Sequence, residues 1–267
     1  LKSYPPGVPA EINPEQYKSL VQLLHESFKK NAANPFSVCM EKWMTYKQVD
    51  ELSTALGAWL QSQGLEPGSR VAIMLPNIPQ FSVTMAGILR AGYTCVNVNP
   101  LYTPRELEHQ LKDSGAETII ILENFATTLT QIIDKTPIKR VVLATMGDLL
   151  GPVFGKWITF AVRNIKKMVP AFSFDTSKGL QVTPFNVAIA KGKGLNLKPS
   201  PANLDSIAFL QYTGGTTGLS KGAVLTHRNV VAATLQAEAW FFPAVERIGD
   251  VSKINIVAAL PLYHIFA

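Results

Sequence analysis

The sequence predicts an α/β fold with largely parallel sheets flanked by helices. Three observations carry that prediction. Apolar runs of strand length recur along the chain, several are separated by capped helical patterns, and 267 residues with 47% hydrophobic and 16% charged content are enough to bury a large core. In chain order, "YKQVDELSTALGAWLQSQG" puts Val49, Leu52, Leu56, Trp59 and Leu60 at helical spacing and stops at Gly64, a residue that tolerates the backbone turn closing a helix. Strand-like runs follow at residues 71–75 and 95–98. "TPRELEHQLKDSG" reads as a second helix: Thr103 caps it, Pro104 takes the first helical position, Glu106 completes a capping box, and Gly115 follows its end. Further runs lie at 118–122, 141–145, 207–212, 223–226 and 254–260, with a helix after Thr226 that places Val230, Thr234, Ala237 and Phe241 on one face. There is no internal repeat.

Composition narrows the function classes. Cys39 and Cys95 lie far apart with no metal-binding or disulfide spacing, which fits a reducing cytoplasm. The amino end, "LKSYPPGVPAEINPEQYKSL", carries proline and charge where a signal peptide would be apolar, and no run approaches the length of a bilayer span. The net charge of +6 suits an anionic membrane, a nucleic acid or a polyanionic small substrate. Without an aromatic RNA-binding signature, a zinc finger or a basic region with heptads, nucleic acid is not an expected partner.

Residues 146–205 read as an irregular excursion from the sheet, with scattered glycine, proline and lysine. Within it, "FGKWITFAVRNIKKMVP" sets Phe154, Trp157, Ile158, Ala161, Ile165 and Met168 on one helical face and Lys156, Arg163, Lys166 and Lys167 opposite. Two readings stand: a surface helix packed on its own domain with solvated lysines, or a peripheral contact with an anionic membrane through 154–169.

The segment "LQYTGGTTGLSKG", residues 210–222, concentrates donors. Gly214, Gly215 and Gly218 permit backbone conformations that point successive N–H groups into one concavity. Thr213, Thr216, Thr217 and Ser220 add hydroxyls without bulk, and Lys221 adds a mobile positive charge. That set suits a polyphosphate. A Walker loop requires glycine directly before the lysine and Ser or Thr directly after it; Ser220 and Gly222 occupy those positions, so that reading fails on spacing. A plain turn between strands remains the alternative, although it needs one or two glycines rather than this series.

"YTGGTTGLSKG" resembles the phosphate-binding loop of the adenylate-forming (AMP-binding) superfamily. Together, "NVNPLYTPRELEHQL", "LQYTGGTTG", "KGAVLTHRN" and "ALPLYHIFA" are most similar to the N-terminal part of bacterial long-chain fatty acyl-CoA ligases, and the likeness extends over nearly the whole chain. At Gly214 many family members carry serine, so a hydroxyl is lost here while the backbone donor stays. The resemblance implies the N-terminal portion of the family's large domain, with fatty acid, ATP and coenzyme A as substrates. It also implies that Thr213, Gly214, Gly215, Thr216, Thr217, Gly218, Ser220 and Lys221 hold the β- and γ-phosphates. His264, in "ALPLYHIFA", is carried over as a substrate-site residue beside the acyl pocket; from the residues alone a buried structural histidine is the competing reading. The family's Mg²⁺-binding acidic motif, ribose-binding aspartate and mobile C-terminal domain are expected beyond residue 267. A noncatalytic lipid- or membrane-associated module with the same fold is the alternative function.

His227 reads as structural or electrostatic, and His25 and His109 as surface residues. Glu106, Glu108 and Asp113 read as helix charges rather than a catalytic pair. A chain that opens on Leu and closes in "ALPLYHIFA" is expected to be a fragment of a longer protein, without turnover by itself and prone to self-association through an exposed edge.

Overall fold

A computed structural model of the chain describes residues 3–213, 220–248 and 254–264. The first elements are helix α1 (Leu20–Lys30) and an antiparallel hairpin of β1 (Pro35–Cys39) and β2 (Lys42–Thr45). There follow α2 (Tyr46–Ser62), β3 (Arg70–Met74), α3 (Pro79–Arg90), β4 (Thr94–Asn97), α4 (Pro104–Ser114), β5 (Thr118–Leu122), α5 (Ala126–Thr130) and β6 (Arg140–Ala144). The remainder comprises α6 (Phe154–Phe160), β7 (Gln181–Pro184), α7 (Phe185–Gly192), β8 (Ile207–Thr213), β9 (Lys221–Thr226) and α8 (His227–Ile248).

Seven strands form one sheet in the order β7-β6-β5-β3-β4-β8-β9. All neighbours run parallel except β8 and β9. Because successive side chains alternate in direction, each central strand feeds two cores. Val71 and Ile73 of β3, Ile120 and Leu122 of β5, and Val142 of β6 join α2, α3 and α7 on one face. Ala72, Met74, Ile119, Ile121 and Val141 join Leu107 and Leu111 of α4 on the other. The α/β prediction holds, and it holds because runs buried on both faces must be almost continuously apolar.

Local signals acted as written. Thr103 and Glu106 form the reciprocal capping box of α4, Pro104 occupies its first turn, and Gly115 closes it at φ 64°. A second capping box, Thr45 with Gln48, starts α2. Gly192 marks the crossing of α7 over α2: a Cβ there would stand 1.8 Å from the Ala55 carbonyl oxygen, so no larger residue fits.

Three expectations need correction, and one element was not foreseen. Residues 146–205 leave the sheet only in part, since β7 returns to pair with β6 at the edge and α7 packs on α2. Residues 254–260 form no strand; the run is apolar, but no sheet edge meets it. On α8 the buried apolar positions among the described residues are Val231 and Leu235, whereas Thr234, Ala237 and Phe241 face outward, so the packed face is rotated from the one the spacing indicated. The β1–β2 hairpin was unforeseen because its turn uses Met40 and Glu41 at φ 48° and 62°, with no Asn-Gly signal.

His227 is structural. It is buried, and its Nδ1 accepts the Leu20 N–H at 3.2 Å, tying α8 to α1. Nδ1 can accept only while the ring is neutral, and burial lowers the pKa from 6.5 to about 4. Between those values the unfolded chain holds a proton that the folded chain does not, so stability is constant above the window and falls as pH drops through it. The expected loss by the lower end is about 2 to 3 kcal/mol. In urea unfolding followed from neutral pH downward, His227→Asn, whose Oδ1 can accept from Leu20, should lack this component. Identical pH slopes for the two proteins would remove His227 as its source.

Candidate functional site

The chain runs from β3 to β4 on one side, then returns to place β5 on the other side of β3. α3 and α4 consequently cover opposite faces and leave a crevice beyond the C-terminal ends of the central strands, where open α/β sheets bind ligands. A cavity of about 300 Å³ lies there, lined by Pro76, Asn77, Pro100, Leu101, Phe125 and Tyr263 among others.

Two sequence-predicted segments reach this end of the sheet. The first is the donor-rich loop. Thr213 is the last residue of β8, Lys221 the first of β9, and the two are register partners across the antiparallel pair. The loop is thus a hairpin connection whose two ends stand side by side. Thr213 and Lys221 are exposed, and no ion pair engages Lys221 among the described residues. Gly214, Gly215, Thr216, Thr217 and Gly218 lie outside the described residues.

Helix α4 fixes the base of this hairpin. His109 Nε2 donates to the Ser220 carbonyl at 3.0 Å; a carbonyl can only accept, so the ring carries its proton on Nε2. The Tyr212 hydroxyl donates to Asp113 Oδ2 at 2.5 Å. Burial first, and that carboxylate second, raise the Tyr212 pKa well above its usual value, so the phenol stays a donor. The Tyr212 ring also lies over Gly222, where a Cβ would meet it at 3.0 Å. His109, expected on the surface, is half-buried because the hairpin lies across that side of α4.

The second segment carries His264. Asn77, just past β3, holds it: the Asn77 Nδ2 group donates to the carbonyls of Ala258 and Leu260, each at 2.8 Å, and Oδ1 accepts the Leu262 N–H at 2.8 Å. Gln211 Nε2 donates to the Tyr263 carbonyl at 2.7 Å, while Gln211 Oε1 accepts from Asn97 Nδ2 at 2.9 Å. Pro261 to His264 form a turn closed by the His264 N–H on the Pro261 carbonyl at 2.8 Å. His264, at the end of this turn, is exposed.

Tyr102 marks where the two segments converge. Burial raises its pKa, the Ser220 hydroxyl opposes that shift, and the negative charge of Glu106 adds to it. Sequence reasoning missed Asn77, Tyr102, Gln211 and the role of His109, whose partners are remote in sequence. Strand-end position was the one available signal, and it pointed to Asn77 and Gln211.

The chain matches the AMP-binding enzyme family over residues 24–267. It belongs to that family. It is 45% identical over 269 residues to a long-chain-fatty-acid–CoA ligase of Yersinia pestis and 46% identical over 268 residues to one of Salmonella typhimurium, each alignment covering 100% of this chain and 46% of the relative. The chain therefore spans about half the length of these AMP-binding relatives. Among solved structures, a long-chain-fatty-acid-CoA ligase from Archaeoglobus fulgidus superposes with a TM-score of 0.70 at 23% identity, covering 98% of this chain and 46% of that one, a likeness of fold. Among the described residues, no helix is long and apolar enough to cross a membrane, and no group of three or more His, Cys, Asp or Glu could hold a metal ion.

If Asn77 seats the His264 segment, Asn77→Ala should release it locally. Amide hydrogen exchange at Leu262 should accelerate at least about tenfold, the scale of one or more lost hydrogen bonds, while exchange at Ile73 in β3 stays unchanged. An unaltered Leu262 rate would show that other contacts hold the segment.

Proposed function

We propose that the full-length gene product activates a long-chain fatty acid with ATP and transfers it to coenzyme A. A carboxylate oxygen attacks the α-phosphorus, and pyrophosphate leaves with the electron pair of the broken P–O bond, giving acyl-AMP. The coenzyme A thiolate then attacks the acyl carbonyl and AMP departs, leaving the thioester. Such chemistry depends on holding the phosphates and balancing their charge more than on a protein nucleophile.

One observation carries the reading: a donor-rich hairpin loop sits at the C-terminal end of a parallel sheet with Thr213 and Lys221 paired at its mouth. In this reading Thr213, Ser220 and the loop between them donate to the β- and γ-phosphates, and Lys221 supplies charge. His264, at the end of the turn that Asn77 and Gln211 secure, faces the acyl and thioester side of the site. Among the described residues no group of three or more His, Cys, Asp or Glu could hold Mg²⁺. A noncatalytic lipid module would have no use for the threonines and Lys221 together.

Lys221→Ala in the full-length protein should lower kcat/KM for ATP by about 10- to 100-fold, the loss of one or two hydrogen bonds to a charged group, with KM for the fatty acid little changed. Unchanged ATP kinetics would refute the role given to Lys221.

Apolar surface is left exposed at Trp240, Phe241 and Phe242 of α8 and at Ile256 and Val257. We read it as the side completed by the remaining half of the relatives' length. The 1–267 polypeptide alone should then self-associate and give no fatty-acid-dependent pyrophosphate exchange; robust exchange would place the active site wholly within these residues.

A further inference from the structure

His227 has a second ring nitrogen that the link between α8 and α1 does not use. Nδ1 accepts from Leu20, so in the neutral ring the proton sits on Nε2. That N–H has no hydrogen-bond partner among the described residues. A buried donor left unmade costs free energy, and His227 is only 1% exposed. Nε2 is nevertheless not among the buried polar atoms sealed away without a partner. What reaches it is a cavity of about 390 Å³, of which His227 forms part of the lining.

The cavity lies at the N-terminal ends of β4 and β8, with Pro67, Pro201, Ala202 and Ile207 in its walls. Pro201 is packed directly on the backbone of Gly92, where a Cβ would stand 2.8 Å from the proline ring, so this wall is held in place. The hydroxyls in the lining are already committed. Tyr93 donates to the Leu65 carbonyl at 3.1 Å, Thr94 to the Ile207 carbonyl at 3.0 Å, and Ser206 to Asn203 Oδ1 at 3.2 Å. No Asp, Glu, Lys or Arg lines the space, and burial keeps Tyr93 and His227 uncharged at neutral pH. Asp205 and Arg228, their neighbours in sequence, pair with each other at 3.1 Å.

What remains is one directed donor in an uncharged, largely apolar recess. Ligand pockets of this kind run from about 300 to 1,000 Å³, so the occupant is small. An ion would lose its water there without gaining a counter-charge, which selects a neutral molecule. Strand β8 separates the recess from Thr213 by seven residues, about 20 Å at the usual rise, so it is distinct from the donor-rich loop.

We infer that this recess binds a small neutral molecule through a carbonyl oxygen, which accepts from His227 Nε2 while its apolar body lies against Pro67, Pro201 and Ile207. The inference stands on the unused donor and the composition of the recess, and it is independent of the ligase reading.

The test follows the ring signals of full-length protein carrying ¹⁵N-labelled histidine, with those of His227 identified by their loss in His227→Asn. Cyclohexanone should move the His227 Nε2 signal saturably. Cyclohexanecarboxylate, which has the same body and a charge, should leave it in place. Ala202→Leu keeps His227 and its bond to Leu20 but puts bulk into the recess; it should bind cyclohexanone at least about tenfold more weakly, the scale of a one-carbon misfit in an apolar pocket. Wild-type ring shifts in that variant before ligand is added check its fold. Ile207→Ala, which trims a wall at a partly exposed position, should weaken binding in the same direction. Absence of saturable movement with cyclohexanone, equal movement with the carboxylate, or unchanged affinity in both variants overturns the inference.

Discussion

Burial of the central strands on both faces is the constraint from which the rest of the arrangement follows. Residues 71–74 of β3 and all of β5 are sealed between two helical layers, and a sealed strand can offer neither a charged side chain nor a free backbone group along its length. Chemistry is therefore displaced to the strand ends. The polar side chains at or just past the C-terminal ends of the strands, Asn77 after β3, Asn97 on β4 and Gln211 on β8, are joined through hydrogen bonds to a segment remote from all of them in sequence.

The same constraint explains how α4 comes to brace the loop. A helix returning from β4 to β5 must cross the sheet on the face opposite α3, which carries its exposed flank past the end of β8. Asp113 and His109, four residues apart and so on neighbouring parts of one helical side, reach Tyr212 and Ser220 from there. What reads in the sequence as an ordinary charged helix becomes the wall of the candidate site through its position.

Legibility in the sequence divided along the same line. The α4 capping box could be read because its partners, Thr103 and Glu106, are three residues apart, and the double-buried strands could be read because they are apolar throughout. The turn at Met40–Glu41 could not, since its backbone is held by hairpin pairing instead of a residue preference. Nor could edge strand β7: half-buried and ending in Pro184, it has neither alternation nor an apolar run. For the site, the loop composition pointed to phosphate, but Asn77 has partners over 180 residues away and is invisible to any local pattern. Periodicity grouped Phe154, Trp157, Ile165 and Met168, which are all exposed, but Ile158 and Ala161, grouped with them, are half-buried, and Lys156, placed opposite, is exposed as well. Which side turned inward was decided by Gly147 meeting Gly155, a backbone contact that no hydrophobic pattern encodes.

Lys221 illustrates why such placement matters for a polyphosphate. The sequence reading took it as a mobile positive charge at the loop's end, and the structure makes it the first residue of a strand, paired with Thr213 and adjacent to the His109 anchor at Ser220. Its backbone is held by strand pairing, and its four-carbon side chain is exposed; in the proposed reading that side chain would meet the phosphate. Pinning both ends of the loop side by side also removes most of the entropy that closing it around a ligand would otherwise cost, so more of each donor's interaction energy is retained on binding. A loop with the same glycines and threonines but an unbraced base would have equal chemistry and poorer affinity, so in the proposed reading the bracing by α4 matters as much as the composition.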